Sequence, residues 1–389
     1  MIQRVSFENF RALRSVSVDL APFTVFVGPN GAGKSSLLAG VGLVLQALAG
    51  SLSEGVDAAW SDDVSVLSRD AVGATTISLE AVAQKLLLAT LRVGPGEVGS
   101  VQRRVLGDGP VLASAKVVGQ IEESIGEVEA RGLAKSREPA WAELRAWLGE
   151  GVLHAFDAPT LARPSYSDEA VPRLGPNGEG LGSVLGDLWA RRPETREGIV
   201  GMVRRVIPSV RGVRVERARV SRVRADEIVV NGHAMSQRRD ESVWGQRVVV
   251  DTDSGSNIPL SAASEGTTLV LAVATAVLAH EHVRVLMLDE LDRGLHPKAQ
   301  IDLVAQLKEF QRVVRPGLQI LATTHSPYLL DAVGFDEVRV TTLDPKGAVR
   351  CAGLDAHPEF ELWRDMVKPG ELWMAQLEGW VAQRGGGDP

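Results

Sequence analysis

Eight residues near the start of the chain, Gly28-Pro29-Asn30-Gly31-Ala32-Gly33-Lys34-Ser35, fit the pattern G-x-x-x-x-G-K-[ST]. That pattern binds phosphate for physical reasons. Its glycines let successive backbone N–H groups turn inward around an anion. A helix beginning near Lys34 would add the positive end of its dipole. The Lys34 ammonium would reach the β- and γ-phosphates of a nucleotide such as ATP, and the Ser35 hydroxyl would ligate Mg²⁺. Asn30, Gly31, Gly33 and Ser36 complete the expected nucleotide contacts. FTVFV before the loop and SSLLAGV after it supply the required strand–loop–helix setting, so a chance glycine turn is the weaker reading.

Far along the chain, the apolar run Val285-Leu286-Met287-Leu288 stops at Asp289-Glu290. In a sheet built around a phosphate loop, such acids emerge beside the phosphates. Asp289 can hold Mg²⁺ directly or through water, and Glu290 can orient and deprotonate an attacking water. A solvated strand end would explain two acids on their own. Joined to Lys34 and Ser35, they favour hydrolysis over mere binding. A second apolar strand, LQILA, leads into Thr323-Thr324-His325-Ser326-Pro327. There His325 can sense a γ-phosphate, one ring nitrogen donating while the other accepts. Ser264-Glu265-Gly266-Thr267 opens a long apolar helix. Ser264 is a good N-cap, with Thr267 an imperfect capping-box partner. Beyond capping, Ser264 and Gly266 can offer hydroxyl and backbone donors to a phosphate. Their distance from the loop in sequence makes a phosphate held by a second subunit a sensible target.

These groups need a scaffold. The chain has 389 residues, 42 Lys+Arg against 49 Asp+Glu, and a net charge of −7. That length suffices for one large or two modest domains. With 44% apolar and 23% charged residues, it has the balance of a globular protein, not a disordered one. The single cysteine, Cys351, excludes an internal disulfide framework and Cys-based zinc or iron–sulfur sites, and fits a reducing, cytoplasmic setting. Arg4, Glu8 and Arg11 interrupt any signal-peptide core. The closest approach to a membrane span, Leu269 to Leu278, is too short.

Periodicity predicts strands over 2–27, a helix after the glycine loop, a loop over 51–74 and strands over 75–93. A polar, mostly helical stretch follows from about Ala113 to Leu148, with no sustained heptads. Next come amphipathic helices at LGSVLGDLWA and REGIVGMVRRVI, then VRGVRVERARVSRV, DEIVVNG and QRVVVDT as strands of a small sheet. Strands alternating with helices across 265–340 imply a mostly parallel sheet. The expected organisation is an N-terminal ATPase lobe over 1–93, a helical insertion over 94–150 and a C-terminal ATPase lobe over 151–389.

The set of motifs resembles ABC-type ATPases, in the RecF-like and OLD-like branch of the AAA family ATPases. FENFR with FVGPNGAGKSSLL resembles the opening of that branch, and LMLDELDRGLHP its Walker B and D-loop. ATTHSPYLLD resembles its switch-histidine motif, and SEGTTLVLA its version of the signature motif. Arg163-Pro164-Ser165, Gly178-Glu179-Gly180-Leu181 and Gly370-Glu371-Leu372-Trp373 also resemble family features. The resemblance implies an α/β P-loop NTPase fold. The expected form is an ABC-type head with an N-terminal antiparallel β lobe, a mostly parallel core sheet and a helical insertion. It implies a head-to-tail homodimer around two ATP molecules. Lys34, Ser35, Asp289, Glu290 and His325 would act in cis, and Ser264 and Gly266 across the interface, with Asp292 near the partner's site. Leu291 departs from the family pattern, where proline is common. The Q-loop glutamine is left unplaced: Gln46 comes too early, within the first helix, and Gln84 and Gln102 remain candidates.

No SMC-type heptads fill the interval between the two Walker motifs. The 64 residues after His325 are short for an OLD-type Toprim nuclease and carry no D-x-D cluster. The resemblance therefore implies an ATPase that drives or gates a separate effector protein, in DNA maintenance or anti-phage defence. The rival readings are a nucleotide-gated sensor or scaffold with little turnover, the ATPase subunit of a membrane transporter, and a nuclease hidden in the tail. Residues 191–224 hold eleven Arg against Glu194, Glu197 and Glu216, a local excess of eight positive charges. That segment suits a nucleic-acid backbone, or else a solvated surface paired with acids elsewhere in the chain, and the abundance of Arg throughout weakens the first reading.

Overall fold

The computed structural model describes residues 1–49, 75–82, 86–93, 100–106, 113–116, 150–230, 233–279 and 282–383. It divides into two compact units. The first holds Met1–Leu153, His282–Asp292 and Gln300–Pro389, and the second His154–Glu281 and Arg293–Ala299.

The first unit contains two sheets. In the N-terminal sheet, β1 (Ile2–Phe10) lies between β2 (Leu13–Asp19) and β4 (Thr75–Val82), antiparallel to both. The sheet continues through β5 (Leu86–Val93), β6 (Ser100–Leu106) and β7 (Ala113–Lys116). Val5, Phe7 and Phe10 of β1 turn inward and share a core with Leu37, Leu38 and Val41 of helix α1 (Lys34–Ala49). Each fully buried phenylalanine contributes roughly 1.5–3 kcal/mol by leaving water.

The core sheet has the order β15-β14-β3-β13-β12-β8. Its strands are β3 (Phe23–Val27), β8 (Glu150–His154), β12 (Val283–Leu288), β13 (Gln319–Thr324), β14 (Val338–Leu343) and β15 (Val349–Gly353). β13 pairs in parallel with β12 and β3, and β3 in parallel with β14; β15 runs antiparallel to β14. Every residue of β3 and β13 is buried, the pattern of parallel strands covered on both faces. Gln319, at the start of β13, joins the two sheets. Its amide donates to the carbonyls of Ile2 (2.8 Å) and Ala21 (3.0 Å) and accepts from the Ile2 N–H (3.0 Å). Around the sheet lie α6 (Pro297–Val313), which belongs to this unit from Gln300 onward, and α7 (Pro327–Leu330). The short helices α8 (Phe360–Trp363), α9 (Pro369–Gln376) and α10 (Gly379–Gln383) follow.

The second unit holds α2 (Ala158–Leu161), α3 (Leu181–Arg191), α4 (Pro193–Val206) and α5 (Glu265–Ala279). In α4 the buried Ile199, Met202, Val203 and Val206 recur at helical spacing. Residues 266–277 of α5 are all buried, as befits a helix that is apolar on every side. β9 (Val210–Val230), β10 (His233–Thr252) and the short β11 (Gly255–Pro259) form an antiparallel sheet.

Two local expectations change. The three short strands expected from 210 to 252 are two long ones, paired from Val210↔Thr252 to Val230↔His233. The stretch from 94, expected as a helical insertion, is strand at Ser100–Leu106, which pairs with β5, and at Ala113–Lys116, which pairs with β6, so both extend the N-terminal sheet. Backbone pairing outweighs the helix propensity of its Ala and Lys. Residues 117–149, the 51–74 loop and the C-terminal RGGGDP lie outside the described residues.

Candidate functional site

β3, β12 and β13 are parallel neighbours, so their carboxyl ends open at one edge of the sheet, where ligands of open α/β sheets bind. Gly28 follows β3, Asp289 follows β12 and His325 follows β13.

The glycine loop turns directly from β3 into α1. Gly28 adopts φ +150°, and a Cβ there would stand 2.1 Å from the Thr341 carbonyl oxygen, so the loop cannot carry a side chain at this point. Gly31 and Gly33 also have positive φ. Lys34 is buried, and its Nζ donates to the carbonyls of Gly28 and Pro29, both at 2.8 Å. Burial lowers its ammonium from the ordinary lysine range, opposed by the attraction of Asp289, Asp292, Glu290 and Glu378.

Ser35 Oγ donates to Asp289 Oδ1 at 3.1 Å. The same carboxylate oxygen accepts from Thr323 Oγ1. Thr323 Oγ1 in turn accepts the Glu290 N–H at 2.8 Å, and the Leu291 N–H donates to the Thr323 carbonyl at 3.0 Å. Glu290 itself lies in the left-handed region, φ +53°, which costs a non-glycine residue roughly 1–2 kcal/mol. One residue further along β13, Thr324 Oγ1 donates to Asp292 Oδ1 at 2.7 Å, and the His325 N–H approaches the same oxygen at 3.3 Å. The first unit thus brings together Lys34, Ser35, Asp289, Glu290, Asp292 and His325.

Sequence reasoning missed two residues here. The sequence places Thr323 only at a strand end. Arg11, from FENFR, donates to Ser36 Oγ at 3.4 Å, and burial lowers its guanidinium from the ordinary arginine range. A cation partly withdrawn from water beside the phosphate loop is a further candidate anion contact. Its left-handed backbone, φ +51°, leaves no signal in composition.

Ser264 and Gly266 belong to the second unit. Ser264 caps α5: its Oγ accepts the Thr267 N–H at 3.2 Å and lies 2.7 Å from Thr267 Oγ1. Gly266 is buried, and a Cβ there would stand 2.7 Å from the Gly294 carbonyl oxygen, so close packing alone already requires a glycine. Gly178 and Gly370 also have local reasons for glycine. A Cβ would meet Leu161 in the first case and the Pro327 carbonyl in the second. Of the Q-loop candidates, Gln46 lies in α1, Gln102 falls on β6 and Gln84 lies outside the described residues.

Much of the positive excess over 191–224 is offset in place. Arg191 pairs with Asp187, Arg211 with Asp253, Arg214 with Asp251, and Arg222 with Asp168 and Glu241. Arg217 and Arg219 differ. Their guanidinium carbons stand 4.8 and 4.1 Å from the ring centre of Trp244, which is 51% exposed, and they make no ion pair among the described residues.

Among the described residues, no group of three or more His, Cys, Asp and Glu could hold a metal ion unaided. No helix there is long and apolar enough to cross a membrane.

A family model described as "AAA domain, putative AbiEii toxin, Type IV TA system" matches residues 130–331, just over half of the chain. A second, "AAA ATPase domain", matches residues 1–72. The chain is similar to an OLD nuclease of Thermus scotoductus, 47% identical over 45 residues, which are 12% of this chain and 8% of that protein. It is similar to the Septu protein PtuA of Bacillus thuringiensis, 31% identical over 68 residues, 18% of this chain and 16% of that one. Both matches therefore span only a small part of those relatives. Among solved structures, an SMC head bound to the C-winged helix domain of ScpA has a TM-score of 0.57 at 13% identity, covering 92% of this chain and 99% of the other. An Smc head domain with an extended coiled coil, bound to the C-terminal domain of ScpA derived from Pyrococcus furiosus, has a TM-score of 0.57 at 12% identity, covering 94% and 99%. These likenesses show a shared fold, the P-loop ATPase head.

Proposed function

The chain belongs to the AAA-domain ATPases, in their OLD- and RecF-like, ABC-type branch, and from that premise we propose that it binds ATP with Mg²⁺ and hydrolyses it. The observation that carries this reading is the hydrogen-bonded line Ser35–Asp289–Thr323–Glu290, which ties the phosphate loop to the acid pair.

The donor set fits the cation. Two hard oxygens, Ser35 Oγ and Asp289 Oδ1, lie 3.1 Å apart. Adjacent ligands of an octahedral Mg²⁺, each at about 2.0–2.1 Å, are spaced by about 3 Å. When bound, the cation would neutralise charge on the β- and γ-phosphates. The chain's own residues do the rest. The loop N–H groups and Lys34 grip the phosphates, and Lys34 exchanges its two carbonyl partners for phosphate oxygens. Glu290 orients a water and takes its proton. His325 holds the γ-phosphate from the end of β13. Asn30, Gly31, Gly33 and Ser36 contact the nucleotide from the loop and the first turn of α1, and Arg11 adds a charge behind Ser36.

In this reading two chains pair head to tail. Ser264 and Gly266 of one chain face the nucleotide held by the other, and Asp292 lies at the junction. ATP bridges the pair and its hydrolysis releases them, which drives or gates a separate effector. Likeness to an OLD nuclease and to a Septu protein supports a role in DNA maintenance or anti-phage defence. A narrow nucleic-acid contact at Arg217, Arg219 and Trp244 is favoured over one spread across 191–224, because those two arginines are the ones set on an exposed ring without acidic partners among the described residues.

The direct test is phosphate release from ATP with Mg²⁺ and with a chelator. Release that requires Mg²⁺ supports the reading. A protein that binds ATP and releases no phosphate would favour the sensor or scaffold instead.

A further inference from the structure

We propose that Thr323 is a positioning residue for hydrolysis, holding Glu290 and Asp289 in register through one hydroxyl; this rests on the reading of Glu290 as the base. Thr323 is 1% exposed, on the last turn-free stretch of β13, where nothing in the phosphate chemistry requires a threonine. Its hydroxyl has one proton to give and lone pairs to receive. The proton goes to Asp289 Oδ1, and a lone pair receives the Glu290 N–H at 2.8 Å. Both capacities are therefore used on adjacent residues of the neighbouring strand end.

The geometry gives that hydroxyl a specific task. Glu290 is at φ +53°, a conformation that a glutamate does not hold without outside restraint. Its N–H is fixed by the Thr323 hydroxyl, and the Leu291 N–H by the Thr323 carbonyl. Thr323 thus brackets Glu290 on the backbone and sets the direction in which its side chain leaves. The same hydroxyl orients the carboxylate that meets Ser35. Thr324, the next residue, does the same for Asp292 and caps the Ser326 N–H at 3.0 Å. A shift of the strand end that carries His325 would therefore reach Glu290 through Thr323.

The test compares wild type, Thr323→Val, Thr323→Ser, Glu290→Gln and the Thr323→Val/Glu290→Gln double variant. It uses steady-state and single-turnover phosphate release, with nucleotide affinity and thermal midpoint measured on each. Thr323→Val keeps the shape and loses the hydroxyl; Thr323→Ala is run beside it in case valine disturbs folding. The expected result is a kcat lowered by about tenfold or more with KM within about twofold. Thr323→Ser should restore kcat to within about threefold of wild type, and Thr323→Val should cost less in the Glu290→Gln background than in wild type, because part of its effect runs through Glu290 and the rest through Asp289. Wild-type kcat in both Thr323→Val and Thr323→Ala, no rescue by serine, or a loss that adds in full to that of Glu290→Gln would overturn the inference and leave the hydrolysis reading standing. A wild-type protein that releases no phosphate, or a Glu290→Gln variant as fast as wild type, overturns both.

Discussion

Ser35 Oγ donates to Asp289 Oδ1 across 3.1 Å, although 254 residues separate them in the chain. One residue lies in the first turn of α1 and the other follows β12, two places from β3 in the core sheet. Their meeting follows from topology: β3 and β12 both flank β13 in parallel, so their carboxyl ends share an edge.

Lys34→Ala removes the cation of the loop. Charge-assisted contacts are worth about 1.5–3 kcal/mol each, so the loss of two should weaken ATP binding by about 100-fold or more. Titration calorimetry reads this, and unchanged affinity would sink the phosphate-loop assignment. Burial lowers the Lys34 ammonium, so the wild type should also show a pH effect. The charged form binds phosphate. ATP affinity should therefore fall as pH rises, at a lower pH than an ordinary lysine near 10.4 would give.

His325→Ala should bind ATP with wild-type affinity and turn over about 10- to 100-fold more slowly, as loss of a polar group aimed at the γ-phosphate predicts. The backbone here is held independently, since the His325 N–H meets Asp292 and the Ser326 N–H meets Thr324. Wild-type turnover would remove His325 from the site.

How much of this was legible in sequence differs by residue. Asp289 and Glu290 announce themselves because they end an apolar run that encodes a buried strand, and Lys34 and Ser35 because they close a glycine pattern that follows one. Thr323 stayed silent: its partners are 33 and 34 residues away, and a threonine is unremarkable in a β-strand. Arg191, Arg211, Arg214 and Arg222 looked like a basic surface because their acids, such as Asp187, Asp251 and Asp168, lie mostly outside the segment and are matched only by folding. The contact between Trp244 and Arg219 leaves no signal in the sequence, because the two meet across a strand pair and not along the chain.

Lys34→Ala and Ser264→Ala should each be inactive alone. Mixed in equal parts, they should recover about a quarter of wild-type turnover. Half the dimers would be mixed, and one of the two sites in each would pair an intact loop with an intact Ser264. No recovery would contradict the head-to-tail arrangement.

Arg217→Ala/Arg219→Ala should weaken binding of single-stranded nucleic acid and reduce the salt slope by about 1.4, two phosphate contacts at about 0.7 each. Fluorescence anisotropy over a salt series measures both. Binding that is equal at every salt concentration would move the contact elsewhere or dismiss it.

In the proposed ATPase site, everything turns on Glu290 as the group that activates the water. The most direct measurement is single-turnover phosphate release from Mg²⁺-ATP by wild type and Glu290→Gln, with ATP affinity measured on the same samples. Equal affinity and a cleavage rate lower by about 10²–10⁴ in the variant are expected. Cleavage at the wild-type rate by Glu290→Gln would contradict that role.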